Sequence, residues 1–325
     1  MKTLKIAAVV CAAVLSLGHA PFAFAETARV AVSQIVEHPA LDATRNGLLD
    51  GLEKKGYIQG DNLSFKYQTA QGNPAIAVQI ARQYVGEQPD VLVGIATPSA
   101  QALAAATRDV PVIFTAVTDP IGAKLVKDMA APTGNVTGLS DLSPVAQHVG
   151  LAKELLPNLS TIGVVYNPGE ANAVTLVDLL KDAAAEHGIK VIEGTALKSA
   201  DVQSAAQVVA TQSDIIYAPT DNTVASAIDG LVAAANSADT PVLGGSTSYI
   251  PNGAVVALGF DYYSVGVQTA DYVAAILDGE PISSLPAKVA EGSDLAVNRS
   301  AADKLGIDVP ASILDRASRI MNNSH

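Results

Sequence analysis

The chain has one cysteine, no tryptophan and few basic residues, and these shortages exclude several classes of protein. Cys11 is the single cysteine, and it lies in an N-terminal apolar segment. Once this segment is removed, the chain has no disulfide, no thiolate nucleophile and no cysteine-ligated zinc. Lysine and arginine total 20 against 32 aspartates and glutamates, a formal charge of −12. Because phosphates require clustered basic side chains, this balance argues against binding to nucleic acid or to an anionic membrane.

Sequence motifs of common enzyme classes are also missing. The chain has no G-x-S-x-G elbow, no P-loop, no G-x-G-x-x-G and no H-E-x-x-H. His38, His148 and His187 lie far apart in the sequence, and His187 falls at a predicted helix end, where a cation interacts favourably with the helix dipole. The sequence therefore predicts no enzymatic activity, no cofactor and no metal site.

The N-terminus has the pattern of a cleaved secretory signal. Lys2 and Lys5 precede the apolar run 6–17, and small residues follow at 23–25. We expect cleavage near Ala25, so that residues 1–25 are the signal peptide and the mature protein is periplasmic. A retained membrane anchor is the alternative, but the apolar run is too short to span a bilayer stably.

Strand-length apolar runs alternate with helical patterns along the rest of the chain. This alternation, with nearly continuous apolar strands, is typical of an α/β protein with parallel sheets covered on both faces. About 300 mature residues exceed the usual size of a single core, which favours two domains. The strand-like runs are residues 29–36, 63–70, 90–96, 110–117, 161–167, 189–196, 214–220, 241–245 and 253–260.

One segment of the chain occurs twice. Residues 90–113 and 214–243 both contain Asp, an apolar strand run, a Thr-rich turn, an Ala-rich helix and Pro-Val leading into another strand. Two similar halves predict two lobes. Ligands of open parallel sheets bind beyond the carboxyl ends of the strands, where the turns 97–99 and 220–222 fall. We therefore expect a cleft with one of these turns on each wall.

Breaks in the α/β pattern indicate where the chain crosses between the lobes. The stretch 131–135 interrupts the alternation about midway, a strand ends near 259–261, and a third break lies near 279–281. Three crossings make each lobe discontinuous. The predicted lobes are 26–137 with 261–282 for the N-terminal lobe, and 138–260 with 283–325 for the C-terminal lobe.

The two turns differ in charge. Thr97-Pro98-Ser99 places hydroxyls next to unpaired main-chain N–H groups at a helix start, which is favourable for a carboxylate. In the second copy Asp221 adds a carboxylate that suits an ammonium group. Ordinary helix capping selects the same residue types, so both interpretations stay open. A ligand that carries both signs of charge fits the difference.

Other predicted strand ends carry polar side chains of the same kind. Each one alone is as compatible with a cap or a turn as with a ligand contact. Their recurrence at the same end of successive strands favours a binding site, and the tyrosines at 262 and 263 offer either aromatic surface or core packing. The polar residues in question are Gln34, Thr69, Thr118, Asn167, Asn172, Asn222 and Asp261.

Several of these segments resemble one known family. The chain is similar to the periplasmic substrate-binding proteins of ABC importers, in particular to the group of the tryptophan/tyrosine-type binding protein, and the likeness spans essentially the whole mature chain. The motifs that carry it are SQIVEHPALD at 33–42, GIATPSAQALA at 94–104, FTAVTDPIGAKLV at 114–126, NVTGLSD at 135–141, VVYNPGEAN at 164–172, YAPTDNTVAS at 217–226 and GFDYYSVGVQTADYVAAILDG at 259–279.

The resemblance implies a specific architecture and site. It implies two Rossmann-like lobes with parallel sheets (periplasmic-binding-protein type I), three hinge crossings, closure around one small ligand and an inner-membrane ABC permease as partner. We expect a monomer. The cleft residues that the resemblance implies are Gln34, Thr69, Thr97, Ser99, Thr118, Asn167, Asp221, Asn222 and Asp261.

Our hypothesis for the ligand is an aromatic or other apolar amino acid. Its carboxylate would contact residues 97–99, and its ammonium would contact Asp221, with or without Asp261. The first alternative keeps the fold and changes the ligand to a sugar or nucleoside, held by Asn167, Asn172 and Asn222. The second alternative, an exported α/β hydrolase or racemase, requires an activated nucleophile or an acid/base pair, and no motif for either is present.

Overall fold

A computed structural model describes residues 27–131 and 134–322. The predicted signal peptide, 1–25, lies outside the described residues. Among the residues that are described, no helix is long and apolar enough to cross a membrane. The described part of the chain forms two α/β lobes, each built on one sheet.

The sheet of the N-terminal lobe has six parallel strands in the order β11-β5-β4-β3-β1-β2. Its central strands are buried along their whole length, as their continuous apolar sequences predict. The strands are β1 (Ala28–Gln34), β2 (Leu63–Thr69), β3 (Val91–Ile95), β4 (Val112–Val117), β5 (Val136–Ser140) and β11 (Lys288–Val289), and the helices are α1 (Pro39–Lys54), α2 (Pro74–Glu87), α3 (Thr97–Ala106) and α9 (Tyr262–Leu277).

The sheet of the C-terminal lobe has seven strands in the order β13-β12-β10-β9-β8-β6-β7, all pairs parallel except β10 with β12. The strands are β6 (Thr161–Tyr166), β7 (Lys190–Thr195), β8 (Ile215–Ala218), β9 (Val242–Gly244), β10 (Val256–Phe260), β12 (Ser293–Asn298) and β13 (Arg319–Met321). The helices are α4 (Val145–Leu155), α5 (Ala171–Ala185), α6 (Ser199–Ala210), α7 (Asn222–Ala225), α8 (Ile228–Ser237), α10 (Arg299–Lys304) and α11 (Ala311–Leu314), with a 3₁₀ turn at Thr247–Tyr249; a second 3₁₀ turn, Ile282–Ser284, lies between α9 and β11 in the N-terminal lobe.

The chain crosses between the lobes three times, and two of the predicted positions need correction. Strand β5 lies entirely in the N-terminal sheet, so the first crossing is 141–144 and the predicted boundary at 137/138 divides a strand. The second crossing is at Asp261, between β10 and α9, as expected. The break at 279–281 only ends α9, because β11 still pairs with β5; the third crossing is 290–292.

Helix α9 returns to the N-terminal lobe because it packs closely against α1. Gly47 and Gly266 lie at the contact, where a Cβ atom on Gly266 would come 2.0 Å from the carbonyl oxygen of Thr44. Only glycine permits this approach of the two backbones. The contact places the first residue of α9, Tyr262, beside the cleft.

Candidate functional site

A cavity lies between the two lobes, at the carboxyl ends of the strands. It is formed where β4, β8 and β9 end and where α1, α5 and α9 begin. No lysine or arginine lines it. The lining residues are His38, Ala40, Leu41, Ala116, Thr118 and Tyr262 from the N-terminal lobe, Asp141 from the first crossing, and Asn172, Thr220, Asp221, Asn222, Ala225, Ser246 and Tyr249 from the C-terminal lobe.

Asp141 is the carboxylate best placed to contact a ligand. It is buried, its Oδ1 accepts a hydrogen bond from Thr118 Oγ1 at 3.2 Å, and its Oδ2 accepts one from the Tyr262 hydroxyl at 2.6 Å. Burial raises the pKa of Asp141 above its usual value, although both hydrogen bonds oppose the shift. Because no basic side chain lines the cavity, the charged form of Asp141 has no cationic partner there. The site therefore suits a ligand with a positive group.

Asp221 also lines the cavity, but main-chain groups occupy its oxygens. Its Oδ2 accepts from the Asn167 N–H at 2.6 Å, and its Oδ1 accepts from the Val224 N–H at 2.8 Å, which caps α7. Burial, and second the nearby Glu170, raise the pKa of Asp221 to about 8. The carboxyl thus holds the turn after β8 together, which leaves it less free to contact an ammonium group than Asp141 is.

Glu170 is a site residue that the sequence reasoning missed. It is buried at the start of α5, where its Oε1 accepts from the main-chain N–H and the hydroxyl of Thr223 at 3.1 and 2.9 Å. Its Oε2 accepts from the main-chain N–H and the side-chain amide of Asn222, and from the Asn172 amide at 3.3 Å. Glu170 therefore orients two amides that line the cavity. A glutamate directly before a helix was the available signal.

Three polar atoms on the cavity wall have no hydrogen-bond partner within the described residues. They are Nδ1 of His38, Oδ1 of Asn172 and Oγ1 of Thr220. Burial lowers the pKa of His38 to about 4, although Asp42 opposes the shift, so that its ring is neutral at pH 7. A buried polar atom without a partner is unfavourable, so these atoms mark where a ligand can supply hydrogen bonds.

Three of the predicted site residues line the cavity, and two others lie near it without lining it. Thr118, Asp221 and Asn222 line the cavity. Asn167 lies behind it, bonded to Asp221 through its main chain. Asp261 is exposed and caps α9 by accepting from the Tyr263 N–H at 3.2 Å, so it does not reach the cavity.

The remaining predicted residues of the N-terminal lobe do not line the cavity either. Thr69 is half-buried at the end of β2, and its hydroxyl accepts from the Gln71 N–H at 3.3 Å. Gln34 is buried and donates through Nε2 to the Val36 carbonyl at 2.8 Å.

The turn at 97–99 is also buried without reaching the cavity. Ser99 accepts from the Ser33 hydroxyl at 3.4 Å, and Thr97 Oγ1 is buried without a partner. The reason is the close contact of this turn with its own strand: a Cβ on Gly94 would lie 2.6 Å from Ala100 Cα. The expected carboxylate site at 97–99 is therefore not part of the described cavity.

Comparison with known proteins settles the family. The family model described as "ABC transporter substrate binding protein" matches residues 29–321. The chain belongs to this family. It is similar to a tyrosine-binding protein of Clostridioides difficile, with 35% identity over 269 residues, which are 83% of this chain and 78% of the relative.

Two solved structures of this substrate-binding protein family are also similar. A conserved domain protein from Vibrio cholerae is 68% identical with a TM-score of 0.90, over 91% of this chain and 100% of that chain. An ABC domain in complex with L-Trp from Streptococcus pneumonia is 36% identical with a TM-score of 0.88, over the same shares of 91% and 100%. The two-lobed α/β fold and the resemblance to this family are thus confirmed.

The lobes of the substrate-binding protein are close together. The Thr175 hydroxyl, in the C-terminal lobe, donates to Asp119 Oδ2 of the N-terminal lobe at 3.5 Å. His38 and Asn222, also from opposite lobes, line the same cavity. Since the whole two-lobed chain superposes well on the L-Trp complex, the lobes have a comparable arrangement in both proteins. The structure described here is a closed form.

Proposed function

We propose that this protein is exported to the periplasm, binds an aromatic amino acid between its lobes and delivers it to an ABC permease of the inner membrane. It acts as a monomer and catalyses no reaction. The observation that carries the proposal is the buried carboxylate of Asp141 in a cavity that has no basic lining residue. Such a site favours a ligand that brings its own positive charge.

The ammonium group of the ligand binds Asp141. Thr118 and Tyr262 already hold the carboxylate in place with hydrogen bonds of 3.2 and 2.6 Å, so binding requires little reorganisation. The unpartnered Oδ1 of Asn172 is a second acceptor for the same group. Burial of the ammonium beside a carboxylate leaves neither charge isolated, which avoids the large penalty of an unpaired buried ion.

The carboxylate of the ligand binds hydroxyl groups. Thr220 Oγ1 lines the cavity without a partner, and Ser246 offers a second hydroxyl on the same lobe. Hydroxyls donate the hydrogen bonds that a carboxylate accepts. This assignment replaces the turn at 97–99, which does not line the cavity.

The side chain of the ligand contacts the apolar and aromatic part of the wall. Leu41 and Ala225 supply aliphatic surface from opposite lobes, and the rings of Tyr249 and Tyr262 lie on the same cavity. This mixed aliphatic and aromatic wall suits the ring of an aromatic amino acid.

The relatives support the same class of ligand. The streptococcal relative was solved in complex with L-Trp, and the relative from C. difficile is named a tyrosine-binding protein. A sugar or nucleoside is less well supported, because the amide nitrogens of all three asparagines assigned to such a ligand are engaged. The Asn167 amide donates to Thr223 Oγ1 at 2.8 Å, and the Asn172 and Asn222 amides donate to Glu170.

Calorimetric titration of the mature chain tests the proposal. We expect L-tryptophan and L-tyrosine to bind with one site per chain, and D-ribose and adenosine to give no heat. Because the chain contains no tryptophan, added L-tryptophan is the only indole, and its emission should shift to the blue on burial. Binding of the sugar or the nucleoside without binding of any amino acid would overturn the proposal.

A further inference from the structure

His38 is a histidine that takes no part in capping the helix it precedes. It stands at the N-cap of α1, and its side chain makes no capping hydrogen bond. Its ring is only 8% exposed and lines the cavity next to Ala40 and Leu41. Its Nδ1 is buried with no partner among the described residues. A buried ring nitrogen on an apolar stretch of the cavity wall requires a partner from the ligand.

The orientation of Asn222 determines what His38 meets on the opposite lobe. The Asn222 Nδ2 donates to Glu170 Oε2, and the Asn222 main-chain N–H donates to the same oxygen at 3.2 Å. Glu170 therefore fixes the amide with its nitrogen toward the carboxylate. The Asn222 group that remains available in the cavity, which His38 also lines, is therefore an acceptor, the amide oxygen.

The unpartnered Nδ1 is the basis for assigning the tautomer of His38. A neutral imidazole has one N–H donor and one acceptor nitrogen, and a ring that carries its proton on Nε2 presents Nδ1 as the acceptor. Burial lowers the pKa of His38 to about 4, although Asp42 and Asn222 oppose the shift, so the ring stays neutral at pH 7. In this tautomer Nδ1 is an acceptor with a free lone pair on the cavity wall.

We propose that His38 Nδ1 accepts a hydrogen bond from a donor on the aromatic ring of the ligand, and that this bond makes the site select tyrosine and tryptophan over phenylalanine. The phenol O–H and the indole N–H are such donors, whereas a phenyl ring has none. A site with a buried acceptor discriminates against a ligand that leaves it unpaired. The inference rests on the proposed function and adds the residue that sets its specificity.

Measuring the affinity of each protein variant for each amino acid tests the proposal. The affinities of L-tyrosine, L-tryptophan and L-phenylalanine are measured by calorimetry for the native protein, for His38→Leu and for His187→Leu. His187 is exposed on the surface, outside the cavity, and provides a control for the same change of side chain. We expect His38→Leu to weaken L-tyrosine and L-tryptophan about 10- to 100-fold and to change L-phenylalanine by less than about threefold, whereas His187→Leu changes none of them.

The ligand series separates a specificity role from other roles. An equal loss for all three amino acids would mean that His38 contacts the amino acid backbone or supports closure, and would overturn the proposal. No loss for any of them would overturn it as well. Retained binding of L-phenylalanine shows that the variant is folded. Failure of the native protein to bind any of the three would instead contradict the proposed function, so the two failures are distinguishable.

Discussion

Replacement of Asp141 by asparagine tests the central contact of the site, because it removes the charge and keeps the shape. The asparagine oxygen can still accept the hydrogen bond that Tyr262 donates at 2.6 Å. What disappears is the negative charge that the hydroxyls of Thr118 and Tyr262 hold in place, whereas main-chain N–H groups hold Asp221 on the same wall. We expect two effects of opposite sign, one on binding and one on stability.

The expected loss of affinity follows from the burial of the pair. Two unit charges in contact at about 3 Å attract each other by about 5 kcal/mol at an effective dielectric constant of about 20. Lost hydration of the ammonium offsets part of this, and removal of one partner from a buried pair costs about 2–5 kcal/mol. Asp141→Asn should therefore weaken an amino acid ligand by about 30-fold to several thousandfold.

The ligand-free protein should respond in the opposite direction. Burial raises the pKa of Asp141, so the folded state binds a proton more tightly than the unfolded state does. The ionised carboxyl of Asp141 therefore lowers the free energy of unfolding above its pKa in the folded state. This destabilisation becomes smaller as the pH falls. Asp141→Asn should raise the melting temperature at pH 7, and the gain over the native protein should shrink as the pH is lowered toward the pKa of this group.

Calorimetry for binding and thermal unfolding monitored by circular dichroism measure the two effects. Asp308→Asn, at an exposed aspartate, is the matched control and should change neither quantity. An affinity of Asp141→Asn within about threefold of native would show that the ammonium binds elsewhere. A lower melting temperature would show that the carboxylate stabilises the fold, against the reasoning from burial.

Three further changes test the packing, the buried histidine and the ordering of the site. Gly266→Ala places a Cβ 2.0 Å from the carbonyl oxygen of Thr44, and we expect it to lower the free energy of unfolding by about 1–3 kcal/mol, as measured by urea titration. Gly150→Ala is the control: it places a Cβ in open space on another helix and should not lower the free energy of unfolding. Burial lowers the pKa of His148 from 6.5 to about 4, because the folded state disfavours the protonated ring. The contribution of this group to the free energy of unfolding is therefore complete above pH 6.5 and is lost as the pH falls toward 4. The loss at pH 5 is about 2 kcal/mol, and an equally steep pH dependence in His148→Gln would contradict it. Glu170→Ala leaves two main-chain N–H groups without their acceptor, so we expect a lower melting temperature and at least tenfold weaker binding of the amino acid. An unchanged affinity would show that Glu170 does not order the site.

The fold was predictable because its signals are local. Continuous apolar strands and helical spacing identified the α/β class, and the repeat at 90–113 and 214–243 corresponds to β3-α3-β4 and to β8 through β9. The second copy differs in that its helical stretch is divided into α7 and α8. The strand β11 has two residues, too few for an apolar pattern, which explains why the third crossing was placed too early.

The site was only partly predictable because strand ends show where a cleft lies and not which side chains reach it. Thr97 and Thr118 have the same sequence signature, yet only Thr118 lines the cavity. Asp141 was not among the predicted site residues, because its bonds to Thr118 and Tyr262 join residues far apart in sequence. The amide orientation imposed by Glu170 likewise exists only after the turns at 170 and 222 have come together.

The hydrogen bond between Asp141 and Tyr262 joins two of the three segments on which the lobes turn. Asp141 opens the crossing 141–144, and Tyr262 directly follows the crossing at Asp261. Atoms near an axis of rotation move little when the lobes separate. We therefore expect the carboxylate to keep its geometry when the lobes separate. The ligand would then be held first near the axis, and the wall that carries Asn172, Thr220 and Ser246 would close over it afterwards.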